Sequence, residues 1–163
     1  MLDASQLLRL AEQLAESPAR GAPPKAKLRR AISTAYYALF HRLVAGATDL
    51  LAGGPARGTR RYMIVYRSFE HKRMAEVCRQ IANGTIRTEV GGNFDVSLQE
   101  CATAFIELQQ IRHEADYDPF ASIALSDAKT AVVRATTAIQ RLNDSPEADR
   151  LLFRTLLHFK PRS

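Results

Sequence analysis

The nine residues Ile111 to Pro119, IRHEADYDP, bring an arginine, a histidine, a carboxylate and a phenol within six positions. Arg112 continues an apolar stripe, Leu98, Cys101, Phe105, Leu108, at helical spacing, with Ala115 next. A guanidinium in a slot fit for a core residue needs a partner, because desolvating its charge is costly. Asp116, one turn on, can supply the opposite charge. His113 and Tyr117 form a second pair one turn apart on the neighbouring face. Such a set can hold phosphate on Arg112 and bond a ligand through the Tyr117 phenol. Two accounts fit it. Either Arg112–Asp116 is a structural ion pair at a helix end with His113 solvated, or Arg112 lines a cleft between helices or subunits.

Two further groups carry chemistry. Tyr37 and His41 lie one turn apart, off the main stripe of their own helix, with Arg30 and Thr34 on the same side. His41 is either satisfied by a backbone carbonyl in a packed face or points into the cleft of Arg112. Between Arg57 and Arg79 stand seven basic residues, Arg57, Arg60, Arg61, Arg67, Lys72, Arg73 and Arg79, opposed only by Glu70 and Glu76. With Tyr62 and Tyr66 interleaved, this run is either a solvated helix face or a nucleic-acid surface, where basic groups neutralise phosphates and aromatics stack on bases. Other chemistries lack their residues. His41, His71, His113 and His158 are far apart and form no HExxH spacing, so no metal site is expected. No serine or cysteine stands beside a recognisable base. Gly91-Gly92 lacks the lysine–threonine pair of a phosphate loop, and no cofactor is expected.

The elements that must position these residues read as helices. Asp3-Ala4-Ser5-Gln6 forms a capping box for a first helix that Ser17-Pro18 ends. A basic connection, Ala19 to Lys25, follows. The second helix holds apolar spacing from Leu28 to Val44, is weakened at Gly46 and stops at Gly53-Gly54-Pro55. A third is expected from about Arg61 to Asn83, bent or split between Phe69 and Met74, where the apolar phase shifts. Thr85 to Val96 reads as a loop, with a possible extended piece from Ile86 to Val90. Ser97 to Glu100 forms a capping box for the fourth helix, which Pro119 stops. Ser126-Asp127 caps a fifth, with Ala128, Ala131, Val132, Ala135, Ile139 and Leu142 inward. Ser145-Pro146-Glu147 opens a short sixth, apolar all round, that covers the bundle or joins a second subunit. The tail after Leu157 reads as frayed.

Composition sets the outer bounds. The chain has 163 residues, 46% hydrophobic and 25% charged, which suits one globular domain over residues 1–163. Net charge is +6, favouring acidic partners. No apolar run is long enough to span a bilayer, and MLDASQLLRLAEQL lacks the plan of a secretion signal. Cys78 and Cys101, without CxxC spacing, read as reduced, core-lining thiols of a cytoplasmic protein.

Two segments together resemble a known family. RRAISTAYYALFHRL in the second helix and RHEADYDP at the end of the fourth are similar to the HEPN domain, above all to its small stand-alone bacterial members with AYYAxFH and R-x-x-ADY segments. The resemblance covers roughly Leu28 to Val44 and Leu108 to Asp118. It implies an all-α, up-and-down bundle of four to five main helices, here with a short C-terminal helix, usually dimerised through the faces carrying the motif. Many members are metal-independent ribonucleases whose signature is an arginine followed, after four to six residues, by a histidine. Others are toxins silenced by a partner nucleotidyltransferase, or nucleotide- or RNA-binding modules. Arg112 matches the arginine, but Tyr117 stands where the histidine belongs. A phenol, with a pKa near ~10, is a poor base at neutral pH but can hold phosphate or ribose by hydrogen bond.

The expected function is therefore a homodimer that binds RNA or a nucleotide, as half of a two-gene regulatory or toxin–antitoxin pair. Arg112 would hold phosphate, Asp116 would orient it, Tyr117 would bond the ligand or serve as a modifiable hydroxyl, and Arg57, Arg60, Arg61, Arg67 and Arg73 would carry the nucleic-acid backbone. One rival is a metal-independent endoribonuclease with a rearranged site, Arg112 with His41 or His71. The other is a purely structural helical interaction module.

Overall fold

The computed structural model describes residues 3–16, 18, 20–86 and 91–159. Its axis is helix α2, Lys25–Ala52. Ala31, Ile32, Ala35, Tyr36, Leu39 and Val44 are fully buried, so the helix is apolar around most of its circumference and lies inside the molecule. Around it pack α1 (Ala4–Leu14), α5 (Val96–Tyr117) and α6 (Leu125–Asp144), with α3 (Arg60–Arg67) and α7 (Glu147–His158) covering other parts of it. Helix α4 (His71–Ala82) reaches the core through α5. The architecture is all-helical, and no strand occurs among the described residues. Seven helices occur among the described residues, not the expected four or five with one appended. None of them is long and apolar enough to cross a membrane.

The surplus element comes from the phase shift after Phe69. Residues 60–82 form two helices, α3 and α4, because no straight helix can turn both Tyr62 and Met74 inward; each is buried, as is Phe69 between them. Helix α2 stops as expected. Gly53 takes φ 83°, a left-handed conformation that favours glycine. Gly46 does not break α2. The helix runs through it, and a Cβ there would stand 3.0 Å from Arg154 Nε, so the missing side chain makes a seat for that guanidinium.

Several helix ends differ from expectation by a residue or two. Asp3 accepts from the Ser5 N–H at 2.9 Å at the start of α1. Helix α5 begins before Ser97, because Asp95 accepts that residue's N–H at 2.9 Å and is the cap. Asp127 accepts from the Ala124 N–H at 2.8 Å from inside the first turn of α6, so it is not itself the cap. Ser145 terminates α6 instead of opening α7; buried, it donates to the Leu142 carbonyl at 2.8 Å. Helix α1 ends at Leu14, ahead of Pro18. Ser17, Ala19, the extended piece expected to reach Val90 and the tail from residue 160 lie outside the described residues.

Helix α7 is one-sided, not apolar all round. Phe153, Leu156 and Leu157 are buried against the bundle while Leu151 faces out. Cys78 and Cys101 are free and buried. Burial pushes both thiols up, that of Cys101 to about 12.

Candidate functional site

Helix α5 carries its stripe as read: Leu98, Cys101, Phe105 and Leu108 are fully buried, and Arg112 follows them. Its Nε lies 2.7 Å from Asp116 Oδ2, and the two side chains are 18% and 24% exposed. The N–H is not aimed at that oxygen, so the pair is held by charge and this buried nitrogen lacks an aligned acceptor. The other arm of the guanidinium donates to the Tyr37 hydroxyl at 2.8 Å. The rings of Tyr36, Tyr37 and Tyr117 lie 5.8, 5.3 and 5.3 Å from Cζ, within cation–π range. Burial works against the charge, but Tyr37, Asp116 and Tyr117 more than offset it and raise the pKa above its ordinary value. Arg112 is thus neither sealed against Asp116 alone nor loose in water. His113 is exposed and packs its ring 4.9 Å from that of Tyr117.

The two histidines that stand far from Arg112 in sequence come close through tyrosines. His71, at the start of α4, shares a 2.7 Å hydrogen bond through Nδ1 with the buried Tyr36 hydroxyl and stacks on Phe40 at 3.9 Å between ring centres. His41 shares a 2.6 Å hydrogen bond through Nδ1 with Tyr66 rather than with a carbonyl. Neither imidazole has a hydrogen bond to Arg112 among the described residues. Burial lowers the pKa of both, and for His71 the charges of Arg112 and His41 lower it further. Both are therefore neutral at neutral pH.

Tyr37, His41, Tyr66 and Tyr62 form a ladder of near-parallel rings, at successive centre distances of 6.0, 5.9 and 6.2 Å. Arg112 bonds one end of it. At the other end the Tyr62 hydroxyl donates to Asp49 at 2.9 Å, and Asp49 takes two hydrogen bonds from Arg57. Burial raises the Tyr62 phenol, and raises that of Tyr66 to about 12. The ladder corrects one expectation. Tyr62 is only 2% exposed, so α3 does not present it as a stacking platform for bases.

The basic run divides in two. Arg60, Arg61 and Arg67 are exposed on α3. Arg57 is occupied by Asp49. Arg73 donates to the carbonyls of Leu156 and Phe159 at 3.3 and 3.2 Å and pairs with Glu76, so it closes the end of α7. Among the described residues no three His, Cys, Asp or Glu side chains gather where a metal ion could sit.

Sequence reasoning missed three supports of this site. Ser33, buried, donates to Asp116 Oδ2 at 3.2 Å. The buried Tyr36 holds His71 through its hydroxyl. Arg29 donates to the carbonyls of Ala115, Asp118, Pro119 and Ala121, at 2.8, 2.7, 3.4 and 2.9 Å, and so clamps the end of α5. A signal existed: Arg29, Ser33, Tyr36 and Phe40 share one stripe of α2 at helical spacing, with polar groups where apolar ones are cheaper. No family model matches the chain, and neither a curated protein nor a solved structure matches it.

Proposed function

We propose that this chain is a HEPN-like homodimer that binds RNA or a nucleotide at Arg112, as half of a two-gene regulatory or toxin–antitoxin pair. The observation that carries this is Arg112 itself. It is a held, permanently charged guanidinium with residual exposure and one N–H without an aligned acceptor, beside a phenol and a carboxylate. Arg112 contacts phosphate, Asp116 keeps the fork oriented, and the exposed Tyr117 hydroxyl bonds the ligand. Arg60, Arg61 and Arg67 neutralise the nucleic-acid backbone. Tyr117 and Phe120, 63% and 92% exposed, give the face beside Arg112 the apolar area a second copy would cover. The up-and-down order, the two-copy assembly and the nucleotidyltransferase-type partner are what the resemblance of the AYYALFH and RHEADY segments to HEPN domains implies. RNA affinity is expected to fall at least tenfold in Arg112→Ala, and the salt slope to flatten in a double Arg60→Ala, Arg61→Ala variant. Unchanged affinity in both defeats this reading.

A second reading is favoured by one observation: His71, bonded to Tyr36 beneath the Arg112 guanidinium, feels its charge, and burial lowers its pKa and that of His41, toward the neutral form a general base requires. In that case an imidazole takes the ribose 2′-hydroxyl proton, the oxygen attacks phosphorus as the bond to the 5′-oxygen breaks, and the 5′-oxygen takes a proton from water. Arg112 stabilises the charge on the phosphoryl oxygens. Cleavage in the presence of a chelator, giving 2′,3′-cyclic phosphate ends and lost in His71→Ala or His41→Ala, would establish it.

A further inference from the structure

A different arginine cluster lies on the seam between α2 and α7. Asn143, at the end of α6, gathers two of its members. Arg42 donates to the Asn143 side-chain oxygen at 2.8 Å, and Arg150 donates to the Asn143 carbonyl at 3.0 Å and to the Ser145 carbonyl. Arg154, one turn beyond Arg150, lies along α2. Its Nε is 3.0 Å, and its Cζ and Nη2 are 3.3 Å, from where a Cβ would stand on Gly46. Gly46 is itself one turn beyond Arg42. Among the described residues the half-buried Arg154 guanidinium makes no hydrogen bond and no ion pair.

The surrounding charges do not compensate it. Burial lowers the pKa of Arg154, and the neighbouring charges of Arg42 and Arg150 lower it further, against Asp49 and Glu147. Asp49 is already engaged by Arg57 and Tyr62. Glu147 is exposed to water. Arg42 and Arg150 are held by amide and backbone oxygens and Arg154 by its seat on Gly46, so none of these three partly buried like charges is held by an ion pair. An arrangement that costs stability in the free protein is one that an anion would relieve.

We propose that Arg42, Arg150 and Arg154 bind a multiply charged phosphate anion, the triphosphate portion of a nucleotide or inorganic polyphosphate. Arg42 and Asn143 also border a groove of about 490 Å³ shared with His41, Arg57 and the carboxylate of Asp3, and Arg150 and Arg154 lie beside it, outside its lining. That is within the size of small-ligand sites, roughly 300–1,000 Å³. Planar guanidiniums match phosphate oxygens two at a time, and three of them suit a ligand carrying several charges better than a diester carrying one per phosphate. This site does not rest on the reading of Arg112.

The test is calorimetric titration of the full chain with sodium tripolyphosphate at fixed ionic strength, with a nucleoside triphosphate as a second arm. Saturable binding is expected, weakened at least tenfold in Arg154→Met and in Arg42→Gln and retained in Arg134→Met, whose ion pair to Glu107 lies elsewhere. Without ligand, Arg154→Met is expected to melt at or above the wild-type temperature. If that variant does not fold, Arg154→Lys, which keeps the charge and loses the fork, is expected to bind several-fold more weakly. Equal dependence on Arg154 in both arms assigns the site to the phosphates. Binding by the nucleotide alone, no saturable binding by either, or binding indifferent to all three substitutions overturns the proposal.

Discussion

Arg112 and Arg154 are both partly buried arginines at the edge of a core-facing helix stripe, and they are treated in opposite ways. One turn after Arg112, α5 places Asp116, and α2 adds Tyr37 and the bracing Ser33. One turn before Arg154, α7 places Arg150, and α2 adds Arg42. The first guanidinium is compensated inside the fold. The second is seated by the absence of a side chain at Gly46 and is left electrostatically uncompensated. A partly buried charge therefore has no fixed effect on stability. Its sign depends on what the next turn and the facing helix contribute.

The largest test of that contrast is a pair of isosteric replacements. Arg112→Met is expected to lose about 2–3 kcal/mol in urea unfolding, below the ~3–5 kcal/mol of a fully buried pair because water still reaches this one. Arg154→Met is expected to lose nothing. Equal losses would erase the distinction. Next, Tyr36→Phe removes the bond to His71 and is expected to cost about 1–2 kcal/mol, read in the same way. Smaller still is the coupling at Gly46. Gly46→Ala gains helix propensity of roughly 0.5–1 kcal/mol but pushes on Arg154. The gain should show fully only when Arg154→Met is also present, and a double-mutant cycle reads the difference.

The smallest effect is the pH dependence from the histidines. Both are lowered in the fold from the ordinary 6.5, chiefly by burial. As pH falls, the unfolded chain takes up these protons first. Their contribution is thus full above pH 6.5 and is lost as the pH drops through the interval beneath it. The unfolding midpoint should fall from pH 7 to pH 5.5, and His71→Gln should flatten that slope. An unchanged slope would remove His71 from the account.

What could be read in advance was what lies within a few turns of one helix. The Arg112–Asp116 pair, the His113–Tyr117 contact, the stop at Gly53 and the break after Phe69 all follow from spacing or from glycine chemistry. The contacts that give the site its character cross between helices. Tyr36–His71 spans 35 residues, His41–Tyr66 spans 25 and Arg29–Ala115 spans 86, and no periodicity links such positions. The basic run meets the same limit. Charge is visible in a sequence, but whether Arg57 meets Asp49, or Arg73 meets the end of α7, depends on packing. At Gly46 propensity shows only a weak link, and that a neighbouring guanidinium occupies the space its side chain would take is invisible before the helices are packed.

The two buried thiols equip the protein with its own clock. Cys78 sits on α4 and Cys101 on α5, both protonated and shut away, so an alkylating reagent reacts only when those helices part. The rate of mass gain then times the opening of the molecule without any introduced label. A phosphate-bearing compound that tightens the α2–α7 seam should slow the labelling even though it touches neither sulfur.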